Sequence, residues 1–243
     1  MQTSVQLFIT CLIDTLQPQI GEAVVTVLER AGVRVEFTPE QTCCGQPAFN
    51  AGLWDQARPI AEHTIRVFEC APGPIVIPSG SCTAMLRHGY AEIFAGDSHW
   101  SQRAADLAAR CYEFSEFLVD VLGVTDLGAS YPGQLTYHAS CHLLRGIQVE
   151  QQPRLLLSQV RGADIVELPE SEVCCGFGGV FSVEHPEISA AMLNRKINNI
   201  ASTQVPTVVV ADTGCLLHIQ GGLKRQGKGQ RVVHLAEILA GLD

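Results

Sequence analysis

Short apolar runs punctuate the chain, separated by stretches whose apolar positions recur every three or four residues. "VQLFIT" (5–10), "VRVEF" (33–37) and "PIVIP" (74–78) are rich in β-branched and aromatic residues, the pattern of half-buried or buried strands. "QLTYHAS" (134–140), "DIVEL" (164–168) and "TVVVA" (207–211) repeat that pattern later in the chain. Residues 18–31, 50–69, 153–161 and 181–201 lie between these runs and read as helices. In the last of them Ile188, Met192 and Ile197 recur at near-helical spacing, which predicts the packed face. Strands alternating with helices predict a parallel sheet, whose ligands gather at the carboxyl ends of the strands.

The order of elements is used twice. "AGVRVEFTPE" (31–40) matches "RGADIVELPE" (161–170), "IVIPSGSC" (75–82) matches "VVVADTGC" (208–215), and "RCYEFSEFLVDVL" from 110 resembles "RVVHLAEILAGL" from 231. A period this long means two related lobes rather than a solenoid. The predicted fold is α/β, with two tandem pseudo-symmetric lobes, 1–128 and 129–243. Each is a small parallel sheet flanked by helices. The joint falls in "GVTDLGASYPGQ" (123–134), rich in turn formers. About a dozen extra residues follow Cys82 in the first half.

The repeat sorts the ten cysteines. Cys11, Cys43, Cys44 and Cys82 recur as Cys141, Cys174, Cys175 and Cys215, and each adjacent pair precedes a glycine, Gly45 or Gly176. Cys70 and Cys111 have no cysteine counterpart and are read as small buried hydrophobes. Adjacent cysteines make a poor disulfide: their Cα atoms stand about 3.8 Å apart, short of the ~4.4–6.8 Å that bridged pairs prefer. Placed after strands, the eight repeated cysteines converge as four thiols on one crevice per lobe.

No two cysteines are three apart, which removes ordinary zinc fingers, thioredoxin-type sites and closely spaced ferredoxin runs. "GFGGVF" (176–181) and "GLKRQGKG" (222–229) fall short of the dinucleotide and phosphate-loop motifs. In a glycine-containing turn both sulfurs of a pair can face inward, which suits a polynuclear centre. Thiolates favour iron–sulfur, zinc or cuprous sites, and ligand count alone leaves zinc open.

Composition narrows the partners. The formal charge is −9, and Lys224, Arg225, Lys228 and Arg231 form only a broken cluster, read as a solvated helix end and loop. Nucleic acid is therefore not an expected partner. The first ten residues carry no positive charge, and no run approaches some 18 apolar residues. Neither a signal peptide nor membrane insertion is expected. Thiol-rich chains without export signals belong in a reducing compartment, so the cytoplasm is expected.

"TCCGQPAFNAG" (42–52), "PSGSC" (78–82), "YHASC" (137–141) and "CCGFGGVFSV" (174–183) resemble the cysteine-rich CCG-domain family. That family includes a subunit of heterodisulfide reductase and the iron–sulfur subunit of glycolate oxidase. The resemblance implies an iron–sulfur electron-transfer subunit of a complex oxidising a 2-hydroxy acid, L-lactate to pyruvate foremost. It implies as partners a ferredoxin-like iron–sulfur subunit and a third subunit of a lactate utilization complex. It also implies iron–sulfur clusters, one [4Fe–4S] per half, held by Cys11, Cys43, Cys44, Cys82, Cys141, Cys174, Cys175 and Cys215.

The chain departs from the fuller family pattern, which ends in CxxC. Ser79 and Asp212 stand where that extra cysteine would be. Asp212 is a candidate oxygen ligand or a helix N-cap, and Ser79 an equivalent cap. His138 and His142 flank Cys141, and His218 follows Cys215 by one turn. None is duplicated in the first half, where Phe8, Leu12 and Met85 sit. His138 is the candidate extra ligand, against a role beside the site. Glu184 and Glu187 read as helix surface, and no self-contained catalytic site is expected. The alternatives are a thiol–disulfide redox subunit and a structural or regulatory zinc protein.

Overall fold

The computed structural model describes residues 4–241, so the first and last residues of the expected lobes lie outside the described residues. The first half runs β1 (Ser4–Leu7), α1 (Cys11–Leu16), α2 (Pro18–Arg30), β2 (Arg34–Phe37), α3 (Gln46–Asn50), α4 (Trp54–Glu69), β3 (Ile75–Ile77), α5 (Gly80–Ala84), α6 (Tyr90–Ile93), α7 (Ser98–Ala108), β4 (Cys111–Glu113) and α8 (Phe114–Glu116). The second runs β5 (Ser130–Tyr137), α9 (Gln151–Ser158), β6 (Arg161–Ile165), α10 (Phe181–Glu184), α11 (Pro186–Thr203), β7 (Thr207–Val210), α12 (Thr213–Arg225), β8 (Arg231–His234) and α13 (Leu235–Ala240).

Two all-parallel sheets result, ordered β2-β1-β3-β4 and β6-β5-β7-β8. The expected α/β fold of two tandem lobes is what forms. Each sheet has a fourth strand, β4 or β8, that the apolar pattern did not isolate, because three or four residues run straight into a capped helix. The additional residues of the first lobe build α6 and α7.

Chemistry explains the strand placement. β3 and β7 consist wholly of β-branched residues, with Thr207 alone polar, and both are buried in the middle of their sheets. β2 and β6 lie at the edges and carry Arg34, Glu36, Arg161 and Asp164, charges that discourage edge-to-edge pairing. Pro18 and Pro186 open α2 and α11 at positions where a missing N–H costs nothing.

One apolar cluster joins the lobes. It gathers Val5, Leu7, Val24 and Phe117 from the first half with Leu135, Tyr137, Leu156 and Leu239 from the second. A second cluster covers the other face of the first sheet, around Phe8, Ile65 and Tyr90, and a third, around Leu193, Ile197 and Val210, also takes in Ile13 and Ile20 of the first lobe. The lobes are thus halves of one body, and the strand ends of both open onto the same region.

Two expectations need correcting. The packed face of α11 is Ser189, Leu193, Lys196, Ile197 and Ile200, whereas Ile188 is exposed and Met192 only half-buried. A face containing a serine and a lysine is invisible to apolar periodicity. Cys70, the C-cap of α4, is exposed, while Cys111 is buried as expected.

Candidate metal centre

In each sheet the strand order reverses at the middle pair, β1 and β3 or β5 and β7, the switch point at which open α/β sheets hold ligands. Cys11 opens α1 just after β1, and Cys82 sits in α5 just after β3. Cys141 and Cys215 repeat these places after β5 and β7. The adjacent pairs reach the same point from the loops after β2 and β6.

The sulfurs meet. Sγ of Cys11 lies 3.7 Å from that of Cys43, and Cys44 lies 3.4 Å from Cys82. The second lobe repeats this, with Cys141 to Cys174 at 3.8 Å and Cys175 to Cys215 at 3.5 Å. All eight are free thiols. The two expected crevices are one: a cavity of about 150 Å³ between the lobes is lined by all eight cysteines, with Asp212 and Ser79 among its walls.

Local backbone explains how neighbouring cysteines both turn inward. Gly45 and Gly176 adopt φ of +84° and +91°, a left-handed kink that reverses the chain directly after each pair. Their N–H groups then donate to Cys43 and Cys174 Sγ at 3.5 and 3.3 Å. Hydrogen bonds from Cys11 and Cys141 first, then from Cys44 and Cys175, hold Cys43 and Cys174 far below the ordinary thiol pKa. The same sharing, together with burial, pushes Cys11 and Cys141 up. Cys215 is lowered to about 6, chiefly by its bond with Cys175, with burial opposing and His138 contributing in the same direction. The deprotonated thiol is the form that binds metal.

Asp212 is the N-cap of α12, with both carboxylate oxygens engaged. Oδ1 accepts the N–H of Gly214 at 3.0 Å, capping its own helix α12. Oδ2 crosses to the first lobe and accepts from Ser79 Oγ and the Ser81 N–H, both at 3.0 Å. Ser79 Oγ in turn accepts the Cys82 N–H at 3.4 Å. One carboxylate therefore ties together the two helices that carry Cys82 and Cys215. Close contact requires Gly80, where a Cβ would stand 2.8 Å from the Leu143 backbone of the other lobe.

The three histidines separate. His138 is fully buried, and its ring joins Cys175 and Cys215 in a group whose donor atoms all lie within 4.8 Å of one another. His142 borders the cavity with Nδ1 3.9 Å from Cys141 Sγ. His218 stands half-buried 3.4 Å from Ser189 Oγ, its pKa lowered by burial. Glu184, Glu187 and the Lys224–Arg225 end of α12 are exposed, as expected. Sequence reasoning missed buried Lys196, whose Nζ donates to the carbonyls of Glu170 and Ser171 just behind the second cysteine set. No helix among the described residues is long and apolar enough to cross a membrane.

A profile of the CCG family, a cysteine-rich domain, matches residues 5–87 and again 135–220. Lactate utilization protein A of Oceanobacillus iheyensis is 48% identical over 235 residues, covering 97% of this chain and 96% of that protein. Lactate utilization protein A of Bacillus pumilus is also 48% identical over 235 residues, covering 97% and 98%. A Bacillus cereus lactate utilization protein A 2 is 46% identical over 236 residues, covering 97% of each. Among solved structures, a glutamate racemase from Bacillus anthracis covers 98% of this chain and 79% of its own, at 9% identity and a TM-score of 0.34.

Proposed function

The chain belongs to the CCG cysteine-rich domain family, and from that premise we propose that it is an iron–sulfur electron-transfer subunit of an L-lactate-oxidising system. One observation carries this reading: eight thiols, meeting as four close pairs, face a single cavity. The donor set is chemically right, being soft thiolates with backbone N–H groups directed at two of the sulfurs. Cys11, Cys43, Cys44 and Cys82 would hold one cluster, and Cys141, Cys174, Cys175 and Cys215 the other. Bound clusters would supply one-electron redox chemistry. The chain itself holds the thiolates, excludes water by burying Cys44, Cys82, Cys175 and Cys215, and locks the lobes together at Asp212.

In this reading the protein works in the cytoplasm beside a ferredoxin-like iron–sulfur subunit and a third subunit of the lactate utilization complex. It carries no lactate-converting residues of its own. The lobes divide near 128/129, where residues 124–129 have no regular structure.

A specific observation favours a second reading. Two thiolates on one tetrahedral zinc at about 2.3 Å stand about 3.8 Å apart, close to the 3.4–3.8 Å spacings of the four sulfur pairs. Irons of a cluster that each take a terminal thiolate need wider spacing. Iron, acid-labile sulfide and zinc measured on anaerobically purified protein decide the matter, with electron paramagnetic resonance before and after dithionite. About eight irons and eight sulfides per chain are expected, as two four-iron clusters require. Stoichiometric zinc without labile sulfide would overturn the electron-transfer reading.

A further inference from the structure

The two cysteine sets match, but their surroundings do not. The backbone N–H of Phe8 donates to Val76 and that of His138 to the equivalent Val209, so the two residues occupy one place in the repeated lobe. Phe8 is apolar and fully buried. His138 is equally buried, and its Nδ1 lies 3.0 Å from the Ser171 carbonyl. A carbonyl only accepts, so Nδ1 carries the proton and a neutral ring keeps its lone pair on Nε2. No nitrogen or oxygen partner reaches Nε2, and its polar neighbours are the thiols of Cys175 and Cys215. Its ring shares the 4.8 Å group with Cys175 and Cys215, the one such group of three donors among the described residues.

A buried ring nitrogen whose only polar neighbours are two thiols, with the opposite N–H fixed on a backbone carbonyl, is the arrangement of a metal-ligating histidine. Lys196 reinforces it by donating to the same Ser171 carbonyl and to Glu170. Its counterpart is Thr64: Gly45 rests on Ala57 and Ile60 as Gly176 rests on Ser189 and Met192, and Thr64 and Lys196 each follow by four residues. The first lobe thus offers neither an imidazole nor a buried cation in these places.

We propose that His138 Nε2 takes one coordination position of the second-lobe centre that a purely cysteine set would give to its neighbour Cys175 or Cys215, making a mixed thiolate–imidazole site that the first lobe does not form. The proposal rests on the reading that these thiols hold metal. An imidazole ligand brings no negative charge, and replacing thiolate by histidine raises cluster potential. The nearby ammonium of Lys196 acts in the same direction. The second centre is then the electron-accepting end of the pair.

The test uses full-length protein labelled with 15N-histidine and loaded anaerobically. A Cys174→Ser/Cys175→Ser variant retains the first centre alone, and Cys43→Ser/Cys44→Ser retains the second. Spin-echo spectroscopy should show nitrogen coupling in the second centre and none in the first. The coupling should persist in His142→Ala and vanish in His138→Phe. His138→Gln, which keeps a donor for Ser171 but no imidazole, serves where the phenylalanine variant fails to fold. In redox titration the second centre should be favoured at least tenfold, 59 mV for one electron, and lose that advantage with the coupling. A second centre without nitrogen coupling, or with coupling that disappears only in His142→Ala, overturns the proposal. If labile sulfide is absent, the cluster reading fails separately, and the same coupling read on cobalt(II)-substituted protein upholds or overturns the role of His138.

Discussion

Phe8 and His138 stand at one point of a repeated lobe, as do Ser79 and Asp212, Thr64 and Lys196, and Glu113 and His234. In these places backbone and hydrogen-bonding position are kept while side-chain chemistry changes. The cysteines and the glycine after each pair are kept in both respects. A duplicated frame therefore keeps the thiols that face the cavity and leaves the surroundings of each set free to diverge. Most of the divergence places additional polarity around the second site. Asp212 goes further and gives the first lobe something that lobe lacks.

Removing Asp212 should break the comparison most severely. Its carboxylate satisfies Gly214 N–H in one lobe and Ser79 Oγ and Ser81 N–H in the other. Asp212→Ala removes the acceptor of the Gly214 and Ser81 N–H groups, while Ser79 Oγ keeps Ser81 Oγ at 3.0 Å, an expected loss of about 3 kcal/mol. Ser79→Ala removes one local cap and should cost about 1 kcal/mol. Urea unfolding of the two variants measures the difference. Equal losses would mean that the carboxylate does not couple the lobes.

Glu113 and His234 offer a sharper contrast, because the same position titrates with opposite sign. Both end the last strand of a sheet and cap the helix behind it. Each leaves one buried atom, Oε1 or Nε2, without a partner. Burial pushes Glu113 up to about 7 and His234 down to about 4. The unfolded carboxyl releases its proton near 4.5 while the fold retains it, so stability present below pH 4.5 is lost as pH rises through 7. For His234, stability present above pH 6.5 is lost as pH falls through 4. Each loss is about 3.5 kcal/mol at roughly 1.4 kcal/mol per pH unit. Glu113→Gln should abolish the decline on the alkaline side and His234→Asn the decline on the acid side. Urea midpoints from pH 4 to 8 read both, and slopes of the same sign would refute the contrast.

Which parts of this were legible beforehand follows from what a sequence pattern records. The apolar runs of β1, β3, β5 and β7 and the repeat spacing carried the two-lobe parallel fold, since buried β-branched strands have few other uses. Cysteine identity and spacing carried the two sets of four. The union of the two sets in one cavity was not legible, because it depends on how the lobes pack through Leu7, Tyr137 and Leu239. Asp212 was recognisable as an N-cap, but its reach to Ser79 spans 133 positions and leaves no local signal. Lys196 was hidden for a related reason. A lysine on an apolar helix face reads as surface until the Glu170 and Ser171 carbonyls that receive it are seen.

The smallest expected effect comes from the feature the lobes share most closely, the glycine after each cysteine pair. Both need a left-handed backbone, so alanine at either position is strained by about 1 kcal/mol or more. Their surroundings then separate them. At Gly45 an added Cβ would meet Ile60 Cγ2 at 3.4 Å, a contact that slight movement relieves. At Gly176 it would stand 2.7 Å from the Ser189 carbonyl oxygen and 2.9 Å from Met192 Cβ, groups belonging to α11 itself. Gly176→Ala should therefore lose about 2 kcal/mol against about 1 for Gly45→Ala. It should also shift the N–H that donates to Cys174, so metal retention at the second site should fall before that at the first. Thermal unfolding and the metal content of the two variants test this, and an equal effect at both glycines would place the asymmetry of the lobes wholly in side chains.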